Sequence, residues 1–155
     1  MARRCLTLVV RPDRVSNRFT IVAVDPDPDY LGIEIFASSR RFSGTTRIYA
    51  GLDELSRFAG AIEGFPTSRE DERRHVFGTQ DKGIAGGYCS VRFRCRDTVC
   101  HSVVEFEFED DDAYYSEGAA RFSFSVEPAE IDAFVRQLRL VEQTRSGEAK
   151  IENEG

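Results

Sequence analysis

The sequence predicts an α+β fold: one mostly antiparallel, twisted sheet of seven or eight strands, with two amphipathic helices packed on it. Three observations carry that expectation. The stretch YCSVRFRCRDTVCHSVVEFEF, residues 88–108, alternates apolar and polar residues on either side of a short polar break. That period of two marks half-buried antiparallel strands joined by a tight turn. Two later stripes have helical spacing: Leu52, Leu55, Phe58, Ala59 and Ile62, then Ile131, Phe134, Val135, Leu138 and Val141. Each stripe follows about four strand-like segments, which gives the order ββββα-ββββα. With 155 residues the chain is about one domain long, and its twelve Phe and absence of Trp predict a Phe-centred core.

In chain order, Cys5–Val10 (CLTLVV) reads as the first strand and Phe19–Val24 (FTIVAV) as the second. The alternation of Asp and Pro over residues 25–29 is a turn by composition, since proline fixes φ and aspartate bonds its own backbone. Three aspartates two apart invite a calcium reading. The EF-hand glycine and closing glutamate are missing, however, and proline interrupts the loop. Leu31–Ala37 and Arg41–Ala50 read as the third and fourth strands. The first helix begins with Asp53 and Glu54, where the helix dipole favours negative charge, and ends at Gly64 and Pro66.

Residues 68–75 (SREDERRH) form a charge run of the kind usually found in a solvated loop or a short helix. A short strand is expected at His75–Thr79. The glycines of 83–87 lead into a strand rather than a helix, so they read as a turn or bulge and not as a phosphate cradle. Beyond the alternating pair, Glu109, Asp110, Asp111 and Asp112 require an exposed turn, because four adjacent acids cannot pack inside without partners. Ala120–Val126 is the last expected strand. Pro128 opens the second helix at its first position. Residues 144–155 are polar and acidic and are expected to be a disordered tail behind a single domain of residues 1–143.

The formal net charge of −6 argues against general nucleic-acid binding, which needs clustered basic residues. No stretch is long and apolar enough to cross a bilayer, and the apolar run at the start is too short for a secretory signal. The expected location is therefore the cytoplasm, with reduced thiols. The cysteines Cys5, Cys89, Cys95 and Cys100 match no zinc spacing. Cys95 and Cys100 are expected to face each other as buried thiols. Strand parity sends His101 to the other face, so no metal site and no Cys–His pair is expected.

No catalytic set stands out. The two histidines, His75 and His101, sit in a charge run and on an exposed strand face. No acid lies among apolar neighbours that would raise its pKa. Arg92, Arg94, Glu105 and Glu107 share the outward side of the alternating pair as a cross-strand charge ladder.

The segments LDELSRFAGAIEGFP, GTQDKGIAGG, YCSVRFRCRDTVCHSVVEFEF and SVEPAEIDAFVRQL span Leu52 to Val141. This part of the chain resembles a group of small bacterial proteins that includes the WapI-type immunity proteins and related uncharacterised families. The resemblance implies one compact domain of a sheet meander and two helices that binds and neutralises a partner toxin, without a catalytic signature to carry over. The leading expectation is a non-catalytic, cofactor-free protein-interaction module. Its candidate contacts are Glu109–Asp112 and the face bearing Arg92, Arg94, Glu105 and Glu107. The alternatives are a small-ligand binder or enzyme with a pocket between sheet and helices, and a structural subunit of a larger assembly.

Overall fold

The computed structural model describes residues 16–81, 86–109 and 118–155. Among them are eight strands and two helices: β1 (Asn17–Pro26), β2 (Leu31–Ser38), β3 (Ser43–Ala50), α1 (Glu54–Ile62), β4 (Glu72–Gly78), β5 (Tyr88–Cys95), β6 (Ser102–Glu109), β7 (Ala119–Ser125), α2 (Pro128–Thr144) and β8 (Glu148–Asn153). The expected strand at Cys5–Val10 lies outside the described residues, as do three of the glycine-rich positions, 83–85.

The α+β class holds, but the strands form two antiparallel sheets of four, not one sheet of seven or eight. Their orders are β3-β2-β1-β8 and β4-β5-β6-β7. One core lies between them. Phe19 of β1 meets Phe106 of β6 at 4.8 Å between ring centroids and Phe134 of α2 at 4.9 Å. Phe58 of α1 meets Phe77 of β4 at 5.1 Å and Phe134 at 6.0 Å. Each sheet therefore turns one apolar face inward, and α1 and α2 add their stripes to the same interior. Tilted and edge-on ring pairs add about 0.5–1.5 kcal/mol each beyond the area they bury. On the far side β3 approaches all four strands of the second sheet. Gly44 allows this: a Cβ there would stand 2.5 Å from the Phe108 ring.

The ends of α1 are satisfied by distant residues. The side chain of Asp53, the N-cap of α1, makes no capping hydrogen bond. The Ser56 amide instead donates to Glu142 of α2 at 3.1 Å. At the other end Arg73 donates to the carbonyls of Ala61 and Glu63 at 3.1 and 3.2 Å, taking up orphan acceptors of the last turn. In α2, Glu127 and Glu130 close a capping box on either side of Pro128.

Two expectations about chain segments are corrected. Residues 72–75 of the charge run belong to β4. Alternation sends Arg73 inward to α1 and leaves Arg74 outward on Ser90. An edge strand can carry such charge because both kinds of partner lie within reach. The tail is not disordered beyond Thr144 either. Arg145 takes a left-handed conformation at the helix end (φ 54°), and the chain returns as β8 against β1, with Ala149 and Ile151 buried.

With β8 in place, the chain runs twice through one order: β1-β2-β3-α1-β4, then β5-β6-β7-α2-β8. The last strand of each run crosses to the other sheet, β4 beside β5 and β8 beside β1.

Candidate functional site

The outward face of the second sheet carries the residues singled out from sequence. Register sets Arg92 opposite Glu105, and Ser90 opposite Glu107. Glu107 in turn faces Arg121 of β7, and Arg74 faces Arg92 across β4. Arg92 reaches Glu72 through Nε at 2.7 Å and Glu105 through Nη1 at 3.2 Å. Arg94 donates through Nε to the same Glu105 at 2.6 Å. Glu72, Arg92, Glu105 and Arg94 thus form a continuous chain of alternating charge. These side chains are half-exposed, so each pair contributes tenths of a kcal/mol to about 1 kcal/mol and is weakened by salt. Their larger effect is order: long side chains that ordinarily move are held in one arrangement. Helix α1 packs on the opposite, inward face, where Phe58 meets His75 and Phe77. A shallow depression of about 190 Å³ lies among the ladder residues, bounded by Arg74, Glu107 and Arg121.

Only part of the expected acidic turn can be placed. Glu109 ends β6 and accepts a hydrogen bond from Gln80 at 2.8 Å. Asp110, Asp111 and Asp112 lie outside the described residues.

The cysteine expectation is corrected. Cys95 and Cys100 are joined by a disulfide across the turn after β5, and neither is fully buried. The Arg96 amide donates to the His101 carbonyl at 2.8 Å, so the loop spans residues 97–100. Cys100 turns to a positive φ of 52° to close it. With the pair oxidised, the ground for expecting reduced thiols is gone. Cys89 is the buried free thiol among the described residues, and burial pushes its pKa well up. A thiol of that kind is inert at neutral pH. His101 is exposed and bonded to Asp97 within the turn, just before β6 and not on a strand face. That bond, with the His101 amide on the same carboxylate, holds Asp97 below the usual carboxylate range.

His75 has a second environment that sequence did not reveal. Its Nε2 stands 3.4 Å from Glu54 Oε1, with both side chains largely buried beside Phe58 and Phe77. Glu54 also accepts from the Gly51 amide at 3.3 Å. No thiol joins this pair among its described contacts. No group of three or more metal-ligating side chains is found among the described residues. No helix among them is long and apolar enough to cross a membrane.

Sequence reasoning also missed a cationic cleft of about 670 Å³ at one end of the molecule. The β2–β3 turn supplies Arg40, Arg41 and Phe42, the end of β5 and its disulfide loop supply Arg94 and Arg96, and β7 supplies Arg121. Alternation at Arg92, Arg94 and Arg96 was a usable signal for one bank of it. Nothing local brings Arg40 and Arg41 to the same place. Comparison of the chain with protein-family models, with curated proteins and with solved structures finds no match to any of them.

Proposed function

We propose that the chain is a non-catalytic protein-interaction module that binds and neutralises a partner protein, in the manner of the immunity proteins it resembles. The observation that carries this reading is the ordered two-sign ladder on the outward face of the second sheet. Glu72, Arg92, Glu105 and Arg94 pair with one another before any partner arrives. A surface already fixed in one arrangement loses less side-chain entropy on docking. Charge alternation also discriminates among partners, since a misaligned partner meets like charge. The interior supports the same reading, because aromatic rings fill the space between sheets and helices where a small-ligand pocket was considered.

The test is capture of partners from the native host by the tagged chain, with co-purifying proteins identified by mass spectrometry. A specific partner should be lost when Glu105 and Glu107 are both replaced by Arg, and retained by the tagged wild-type chain. A partner captured equally well by both forms would remove this face from the proposal.

A further inference from the structure

We infer that the arginine-lined cleft beside β7 is a docking site for an extended, carboxylate-rich segment of another protein. The inference rests on the reading of the chain as an interaction module; the cleft adjoins the Glu–Arg ladder, sharing Arg94 with it and Arg121 with the depression beside it.

Charge comes first. Arg40, Arg41, Arg94, Arg96 and Arg121 converge on one cleft, and no Asp or Glu is among the described residues that line it. Arg94 is paired with Glu105. The side chains of Arg40, Arg41, Arg96 and Arg121 make no hydrogen bond or ion pair with any described residue. In a chain of net charge −6, four guanidinium groups without an ion pair, from three separate elements, form a local field of the opposite sign, offset in part at Arg121 by Glu107 opposite it in register. A concave site lined by one sign of charge concentrates oppositely charged ligands. Guanidinium forks match carboxylates in geometry as well as in charge.

The shape of the site then selects among anions. β7 stands at the end of the strand order β4-β5-β6-β7, so one row of its backbone groups has no strand paired to it among the described residues, although the Ser125 carbonyl accepts from Asn153 Nδ2 at 3.0 Å. Its sequence, AARFSFS, carries a single charge and no proline, whereas edge strands are usually blunted by both. Ser123 and Ser125 line the cleft from this strand, and Phe42 on the opposite bank is 63% exposed. An edge strand, small hydroxyl side chains and an exposed ring suit a peptide that lies alongside as an added strand. A long polyanion such as nucleic acid fits less well. It would extend beyond the arginines, within about 8 Å of which salt screens charge, onto a surface that is acidic on balance.

The experiment uses the full chain and a fluorescein-labelled ten-residue peptide of alternating Glu and Val, followed by fluorescence anisotropy. Saturable binding is expected at 50 mM salt, weakening at 300 mM. The triple variant Arg40→Ser, Arg41→Ser, Arg96→Ser, which removes exposed side chains that lie away from the ladder depression, should bind about tenfold more weakly. Several results would overturn the inference: no saturable binding at low salt, equal binding by the triple variant, or equal binding of a peptide alternating Lys and Val. Tighter binding of a single-stranded oligonucleotide would also do so, as would complete displacement of the peptide by millimolar succinate or phosphate, which would mark a small-anion site. If the host partner is lost with the Glu105 and Glu107 replacements but not with the arginine variant, the interaction reading stands and this cleft is not its site.

Discussion

Glu63 and Arg139 stand 76 residues apart in the chain, and their side chains form a two-point ion pair with distances of 3.0 and 2.9 Å. Glu63 is the C-cap of α1, and Arg139 lies inside the longer α2 at the position the 76-residue offset gives. Leu55, Phe58, Ala59 and Ile62 of α1 are buried, and Ile131, Phe134, Val135 and Leu138 of α2 are buried at the corresponding positions. The same spacing relates the first residues of β3 and β7, Ser43 and Ala119, and of β4 and β8, Glu72 and Glu148. Corresponding residues therefore meet each other, Glu63 with Arg139 and Phe58 with Phe134. This is the arrangement expected when two like units pack about a shared local axis and each lends its last strand to the other.

The shared contact makes a prediction about coupling. Phe58→Ala and Phe134→Ala should each cost about 3–5 kcal/mol, because both rings are fully buried. Their rings are 6.0 Å apart, so the double variant should fall short of the sum by about 0.5 kcal/mol or more. A double-mutant cycle by urea unfolding measures it, and strict additivity would deny that the two helices meet through these rings.

Asp71 predicts a pH dependence. Two Arg73 nitrogens, at 2.7 and 2.8 Å, and the amide and hydroxyl of Thr67 donate to its carboxylate. Led by the Arg73 hydrogen bonds, they lower its pKa from 3.8 to about 2. A lowered folded-state pKa stabilises the protein above the unfolded value, and the gain is lost as pH falls from 3.8 towards 2. The Asp71 side chain is 9% exposed and its partner Arg73 24% exposed, so partial screening through the arginine leaves a contribution of about 1–2 kcal/mol. Asp71→Asn should therefore be less stable than wild type at pH 7 and nearly equal to it at pH 2. Paired denaturation curves at the two pH values check this, and a gap that persists at pH 2 would refute the assignment.

Alternation made the strands legible in sequence, and helical spacing made the helices legible. Parity put Arg92, Arg94, Glu105 and Glu107 on one face, but the register that sets Arg92 opposite Glu105 and Cys95 opposite Ser102 depends on the length of the turn and was not legible. The division into two sheets was not legible, because a strand with one face on the core alternates in the same way in either arrangement. β8 was missed for a related reason: Ala149 and Ile151 are its only buried residues, spaced by charges that also suit a solvated tail. The cleft was missed because its arginines come from three distant segments, and no local pattern records where a turn will lie relative to a strand of the other sheet.

The disulfide predicts a redox effect on stability. Cys95 and Cys100 are separated by five positions. For a loop this short the chain-entropy relation gives roughly 2 kcal/mol. Replacing both by Ser should lower stability by about that amount, and adding reductant should do the same to the wild-type chain but not to the variant. Cys89, fully buried, should resist iodoacetamide in the folded protein and react only after unfolding. Labelling followed by mass spectrometry separates the cysteines. Modification of Cys89 in the native state, or indifference of wild type to reductant, would contradict the arrangement.

The closing strand gives the last prediction. β8 pairs with β1 from Asn17↔Asn153 to Val22↔Glu148, and its Lys150 amide donates to Gln137 of α2 at 2.8 Å. Gln137 thus takes up a backbone donor that an open sheet edge would leave to water. Ile151 is buried opposite Phe19, the ring that also meets Phe106 and Phe134. Removing Ile151 therefore opens a cavity beside the centre of the core and not at its margin. Ile151→Ala should cost about 2–4 kcal/mol, and deletion of residues 148–155 should destabilise the whole chain cooperatively, because β1 loses its neighbour. Amide exchange at residues 149–151 should be as slow as in β1. A truncated chain that unfolds at the wild-type urea midpoint would show that these residues add nothing to the core.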